Sequence, residues 1–195
     1  MQASLSGTLA TMGPGTPYAI AARFAYPDRP VIAFVGDGAF QMNGMAEMIT
    51  VKRYLDRLSG PAPFVFCVFN NQDLNQVTWE QRAMAGDPKY PGSQYIPDVP
   101  YAAYAELLGL KGIRCEKPNE VGAAWDQALA SDRPVVLEFK VDQEIAPIPP
   151  HITLEQGRKT AKAALHDPEK VGIIAKGVRQ KLTEYAGHLP GRGQR

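Results

Sequence analysis

Two polar groups follow directly on apolar runs. Val31-Ile32-Ala33-Phe34-Val35 leads into Gly36-Asp37-Gly38, and Phe64-Val65-Phe66-Cys67-Val68-Phe69 leads into Asn70-Asn71. Unbroken runs of branched and aromatic residues suit strands buried on both faces of a parallel sheet. Side by side in such a sheet, the two runs deliver Asp37 and Asn71 to one carboxyl edge, where open α/β sheets bind ligands. One hard carboxylate, one amide oxygen and nearby backbone carbonyls suit Mg²⁺, which takes few protein ligands and shares a phosphate. Taken singly, Asp-Gly and Asn-Asn after a strand are ordinary turn pairs. Their order and their matching strand-end contexts point to a ligand site.

Gly36-Asp37-Gly38 followed by a helix, a strand and Asn70-Asn71 resembles the signature of thiamine-diphosphate enzymes. The surroundings are similar to the C-terminal, pyrophosphate-binding domain of the acetolactate synthase and pyruvate oxidase branch. The resemblance implies that Asp37 and Asn71 bind Mg²⁺, with the backbone carbonyl of Asp73 as third protein ligand. It places Gly36 beside the cofactor. It also gives the backbone N–H groups of Gly38 and Ala39 to the diphosphate, at the start of the next helix. A second stretch, Ser6-Gly7-Thr8-Leu9-Ala10-Thr11-Met12-Gly13-Pro14-Gly15, resembles the loop that shapes the cofactor. There Met12 is the apolar wedge that forces the two rings into a V, and the Ala10 carbonyl accepts from the aminopyrimidine. That geometry sets the amino/imino group beside the reactive carbon, where it acts as base. A third stretch, Asn70 to Glu80, is similar to the acetolactate synthase segment that lines the substrate channel, with Gln76, Val77 and Trp79 as candidates. No residue of this chain is assigned a catalytic role. Glu47 and Glu80 read as solvated positions.

Composition agrees with a globular cofactor-binding chain. Its 195 residues make one domain plus a tail, 45% of them hydrophobic. A formal net charge of +1 offers no electrostatic footprint for nucleic acid. Cys67 and Cys115 make neither a metal spacing nor a disulfide framework. His151, His166 and His188 lack ligand spacing. Met12-Gly13-Pro14-Gly15 offers a G-x-G with no strand before it, which argues against a dinucleotide fold. No signal peptide or membrane-length apolar stretch is seen, so a cytoplasmic setting is expected, with no membrane partner.

The elements that must position these residues alternate. A helix is predicted over 17–26, a strand over 31–35, a helix through Met45 to Leu58 and a strand over 64–69. An irregular substrate loop follows to about Pro100, then a helix from Tyr101 to Leu108 and a short strand at Ile113-Arg114-Cys115. A helix from Pro118 to Ala130 is predicted with Val121, Trp125 and Leu129 on its buried face, and a last strand runs from Pro134 to Val141. Alternation of this kind predicts an α/β fold, a doubly wound parallel sheet with helices on both faces. Residues 1–146 are expected to form the cofactor domain. Residues 147–195 are expected to form an extended linker, a helix near 168–186 and a flexible basic end.

The resemblance begins a few residues into this chain, where relatives place a further strand and helix, and before those a pyrimidine-binding domain. It implies the cofactor-holding half of a 2-oxo acid decarboxylating enzyme acting on a substrate such as pyruvate. The pyrimidine-binding domain would come from another chain or a longer precursor, in a homo- or hetero-oligomer. Transfer to a second 2-oxo acid, oxidation through FAD on a separate domain, and protonation all remain open outcomes. The alternative is a non-catalytic truncated homologue that acts by assembly.

Overall fold

Val31–Gly36 (β1), Phe64–Asn70 (β2), Lys111–Cys115 (β3) and Val135–Lys140 (β4) form one sheet in the order β1-β2-β4-β3, parallel throughout. The computed structural model describes residues 1–145 and 153–167, with Gly172 and Lys176. They fall into two compact units. One is Met1–Gln72 with Ile96–Val141; the other is Asp73–Tyr95 with the described residues from Asp142 onward.

The first unit holds the sheet. Ala33 and Val35 of β1, Phe64, Phe66 and Val68 of β2 and Val136 of β4 face one core. Over them pack helix α1 (Gly15–Ala25), helix α2 (Met45–Arg53) and helix α3 (Tyr101–Leu107), through Ile20, Met48, Val51, Tyr101 and Ala105. The alternate residues Val65, Cys67, Ile113, Cys115, Val135, Leu137 and Phe139 build a second core under helix α4 (Val121–Leu129). Helices thus cover both faces, as the alternating pattern predicts. Cys67 lies fully inside, and burial pushes its thiol up to about 12, so it serves as a small apolar residue.

Two local readings change. The buried stripe of α4 is Ala124 and Ala128, with Trp125 partly buried, whereas Val121 and Leu129 are exposed. Small side chains let the helix lie close to the sheet, and that outweighs the larger residues one position round. The helix expected to start at Gly38 and Ala39 does open there. Asp37–Ala39 is already helical and runs through a π-helical turn, Phe40–Gly44, into α2. The segment expected to be irregular up to Pro100 contains the helix Asn75–Glu80, a second π-helical turn at Gln81–Ala85 and the short helix Pro91–Gln94.

These helices belong to the second unit, together with Leu154–His166, which the sequence reading did not expect. Thr153 and Gln156 form a capping box at its start. Arg82 donates to the Asp167 carboxylate at 2.8 Å, and Lys89 to that of Asp73 at 3.0 Å, all four residues being buried. The proposed helix 168–186, the prolines at 147, 149 and 150, and the C-terminal end lie outside the described residues, apart from Gly172 and Lys176. No helix among the described residues is long and apolar enough to cross a membrane.

Gly112 on β3 marks the tightest approach in the sheet. A Cβ there would land on the backbone carbonyl of Ala102 in α3, which cannot swing aside. Gly122 on α4 is exposed and has open space around its Cβ position. Gly112→Ala is expected to cost about 2–3 kcal/mol by denaturant unfolding. Gly122→Ala is expected to gain up to about 1 kcal/mol. Equal effects in the two variants would overturn the packing account.

Candidate functional site

Asp37 follows the last residue of β1 and is 1% exposed. Removal from water raises its pKa above the ordinary carboxylate value, and three backbone groups work against the rise. Gln72 N–H donates to Asp37 Oδ2 at 2.6 Å, Gly38 N–H donates to Oδ1 at 2.9 Å, and the Asn71 backbone N–H assists. The Lys140 cation lowers the value further. Asp37, Gly38, Asn71 and Gln72 are thus gathered at one corner, where the carboxyl ends of β1 and β2 meet. Gly36 stands beside them with nothing within 4 Å of its Cβ position.

Gln72 adopts φ 61°, and Ala10 adopts φ 45°. They are the non-glycine residues with left-handed backbone among those described, and each lies in one of the two loops predicted to meet a cofactor. A left-handed conformation costs roughly 1–2 kcal/mol per residue, so surrounding contacts must hold it. At Gln72 they are visible. Its N–H goes to Asp37 and its C=O accepts from Ile96 N–H at 3.0 Å.

Ala10 and Met12 lie on a separate, exposed stretch. Ala10 ends a single 3₁₀ turn, Gly7–Leu9, and Met12 is 44% exposed. The loop then turns inward. Gly13 is buried, and a Cβ on it would sit 3.1 Å from Asn43 Oδ1 in the π-helical turn. That oxygen is buried and has no hydrogen-bond donor among the described residues.

Behind Asp37 lies a polar network that the sequence reading passed over. Glu138, in the middle of β4, is 0% exposed. Its Oε1 accepts from Asn70 Nδ2 at 2.8 Å and from Arg114 Nη1 at 3.3 Å, and its Oε2 from Ala102 N–H at 3.0 Å. Asn70, the first of the Asn pair, also donates to Asp98 Oδ1 at 3.0 Å. Asp98 accepts in addition from Lys140 Nζ at 2.9 Å. Buried Tyr101 accepts a hydrogen bond from Gln41 Nε2 at 2.9 Å, and desolvation pushes its phenol up to about 12. A sequence signal for Glu138 did exist, because a charged residue inside the run Val135–Phe139 must find buried partners.

The remaining predicted residues belong to the second unit. Asp73 is buried, with its carboxylate paired to Lys89. Gln76 is exposed and donates to Glu80 at 2.9 Å, and Val77 is 47% exposed. Trp79 is partly buried, with the Arg82 guanidinium 4.6 Å from its ring centroid. Among the described residues no three His, Cys, Asp or Glu side chains cluster as a metal site.

The hydrogen bond from Lys140, aided by Asn70 and Gln72, holds Asp98 down to about 2. A depressed carboxylate stabilises the fold above its unfolded value and loses that contribution as pH falls through the folded one. Acid unfolding should therefore show a loss between about pH 4 and pH 2 in the parent chain that Asp98→Asn lacks. Superimposable acid profiles would sink this assignment.

The family described as "Thiamine pyrophosphate enzyme, C-terminal TPP binding domain" matches residues 1–139. The "Putative thiamine pyrophosphate-containing protein YdaP" of Bacillus subtilis is 37% identical over 161 residues, covering 83% of this chain and 26% of that protein. The "Probable acetolactate synthase large subunit" of Methanococcus aeolicus is 38% identical over 142 residues, covering 72% of this chain and 22% of the relative. Among solved structures, the thiamine diphosphate-dependent 4-hydroxybenzoylformate decarboxylase of Rhodococcus jostii RHA1 superposes with a TM-score of 0.57. It is 25% identical, over 67% of this chain and 23% of that one. The chain thus spans about a quarter of the length of these curated relatives. With a family match across most of its sequence and a parallel α/β sheet of the same kind, the chain belongs to the thiamine pyrophosphate enzymes, through their C-terminal TPP-binding domain.

Proposed function

We propose that this chain is the thiamine diphosphate- and Mg²⁺-holding half of an enzyme that decarboxylates 2-oxo acids. The observation that carries this reading is the state of Asp37, a carboxylate withdrawn from water and met only by backbone dipoles and a more distant cation. A small hard cation on its oxygens would favour the charged form that burial opposes. The donor set fits Mg²⁺, since the described residues offer no carboxylate cluster of the kind that encloses Ca²⁺.

In this reading the side-chain oxygens of Asp37 and Asn71 and the carbonyl of Asp73 hold the metal. Gly36, Gly38 and Ala39 let the backbone approach the diphosphate. Met12 supports the bend of the cofactor and the Ala10 carbonyl accepts from its aminopyrimidine. The half-exposed Met12 and the strained Ala10 support these roles. Gln76, Val77 and Trp79 face the substrate. When bound, the cofactor supplies the electron sink that decarboxylation needs. The chain's own residues bind and orient it, and none of them supplies the glutamate that drives its tautomer. That group would come from a pyrimidine-binding domain, on another chain or on a longer precursor, in an oligomer working in the cytoplasm. FAD, where the complete enzyme uses it, would bind outside this domain.

Calorimetric titration of the purified chain with thiamine diphosphate, with and without Mg²⁺, tests the cofactor reading. Binding should need the metal, and Asp37→Ala should abolish it with the fold retained. Turnover of pyruvate should be absent in the chain alone and present only with a pyrimidine-domain partner. Metal-independent binding, or binding unchanged in Asp37→Ala, would sink the metal reading. Decarboxylation by the chain alone would remove the need for a partner.

A further inference from the structure

We propose that Glu138 is a positioning residue for the metal corner, holding Gln72 in place through Asn70 and Asp98. The proposal rests on the reading of Asp37 as a Mg²⁺ ligand. Glu138 lies on β4, opposite Val68 of β2 in register, and Asn70 is two residues further along β2 on the same face. The Asn70 amide bridges them at 2.8 Å to Glu138 Oε1 and at 3.0 Å to Asp98 Oδ1. Two residues before Asp98, Ile96 N–H donates to the Gln72 carbonyl at 3.0 Å. Gln72 ends the chain of contacts with its N–H on Asp37 at 2.6 Å.

Glu138 and Asn70 are buried and cannot drop their links freely, whereas Asp98 is exposed and is held by Lys140. Glu138 is wholly buried, so loss of any donor leaves uncompensated charge. It is anchored from two other sides, by Ala102 N–H of α3 and by Arg114, its register partner on β3. Asn70 is equally buried, and its amide also reaches the Val99 carbonyl at 3.4 Å. The left-handed backbone of Gln72 needs external contacts to persist. Glu138 therefore fixes the end of β2 against two strands and a helix, and the residue that gains is Gln72. It touches neither substrate nor cofactor, so its effect is one of orientation, as for groups behind metal ligands.

Amide hydrogen exchange on the full, ligand-free chain tests the hold without any cofactor. In Glu138→Gln, exchange of the Gln72 amide should speed up by about tenfold or more, while the sheet amides of Cys67 and Leu137 keep their protection. Asn70→Ala cuts the same link without disturbing the other two anchors of Glu138, and should give the same selective change. It is the deciding variant if Glu138→Gln does not fold. In a parallel titration with Mg²⁺ alone, followed by the Gly38 amide shift, the Kd should rise about tenfold in either variant. Unchanged protection at Gln72, or protection lost equally at Gln72, Cys67 and Leu137, would overturn the proposal, the latter by showing a merely structural role. Absence of any Mg²⁺ response in the parent chain would instead count against Asp37 as a metal ligand, and the exchange result would still decide the role of Glu138.

Discussion

The hydrogen bond from Gln72 N–H to the Asp37 carboxylate joins the ends of two neighbouring parallel strands. Parallel strands share no hairpin, so nothing local ties their carboxyl ends together. The β1–β2 ladder runs to Gly36 opposite Phe69, and beyond it one chain enters a helix and the other a loop. Asp37 bridges that divergence with both oxygens, one to its own helix start and one across to Gln72. Two costs go into the bridge, a carboxylate taken out of water and a residue forced into left-handed backbone. Both are concentrated at the edge where α/β sheets bind ligands.

Two carboxylates are buried on this side of the sheet, and they differ in how they are satisfied. Glu138 meets a guanidinium, a side-chain amide and a backbone N–H, which together answer the charge and its lone pairs. Asp37 meets backbone N–H groups, with Lys140 acting only from a distance, and its pKa stays raised. The first is a completed structural element. The second would still gain from a positive partner, a difference that burial alone does not reveal.

The residues that specify the sheet were legible because β2 and β4 are unbroken apolar runs, and periodicity alone places them inside. Gly36-Asp37-Gly38 and Asn70-Asn71 were legible for the same reason, as polar groups at the ends of those runs. The partner of Asn70 was not, since a side-chain contact across β2 and β4 needs the strand order, and β4 lies next to β2 only through a crossover. The π-helical turns were hidden as well. Phe40–Gly44 has the composition of an ordinary helix, so nothing in it announces the wider turn, in which Phe40 lies edge-on to Tyr101 at 5.4 Å. On α4 the large residues Val121 and Leu129 drew the stripe to the wrong side. Close approach to a sheet favours alanine, and hydrophobicity counts reward size.

Separation of roles along the chain explains why family membership does not choose a reaction. Asp37, Gly38, Asn71 and Gln72 sit on the sheet unit, where strand register and a polar network leave little freedom. Gln76, Val77 and Trp79 sit on the helix Asn75–Glu80 of the second unit, whose interior depends on the Arg82–Asp167 and Lys89–Asp73 pairs. A substitution at exposed Gln76 or Val77 disturbs no buried charge, whereas one at Asn70 or Glu138 does. The strand-end residues are therefore constrained by the fold, and the exposed residues of that helix are not. A sheet of this kind carries many reactions on one cofactor, so the strand ends do not by themselves identify a substrate.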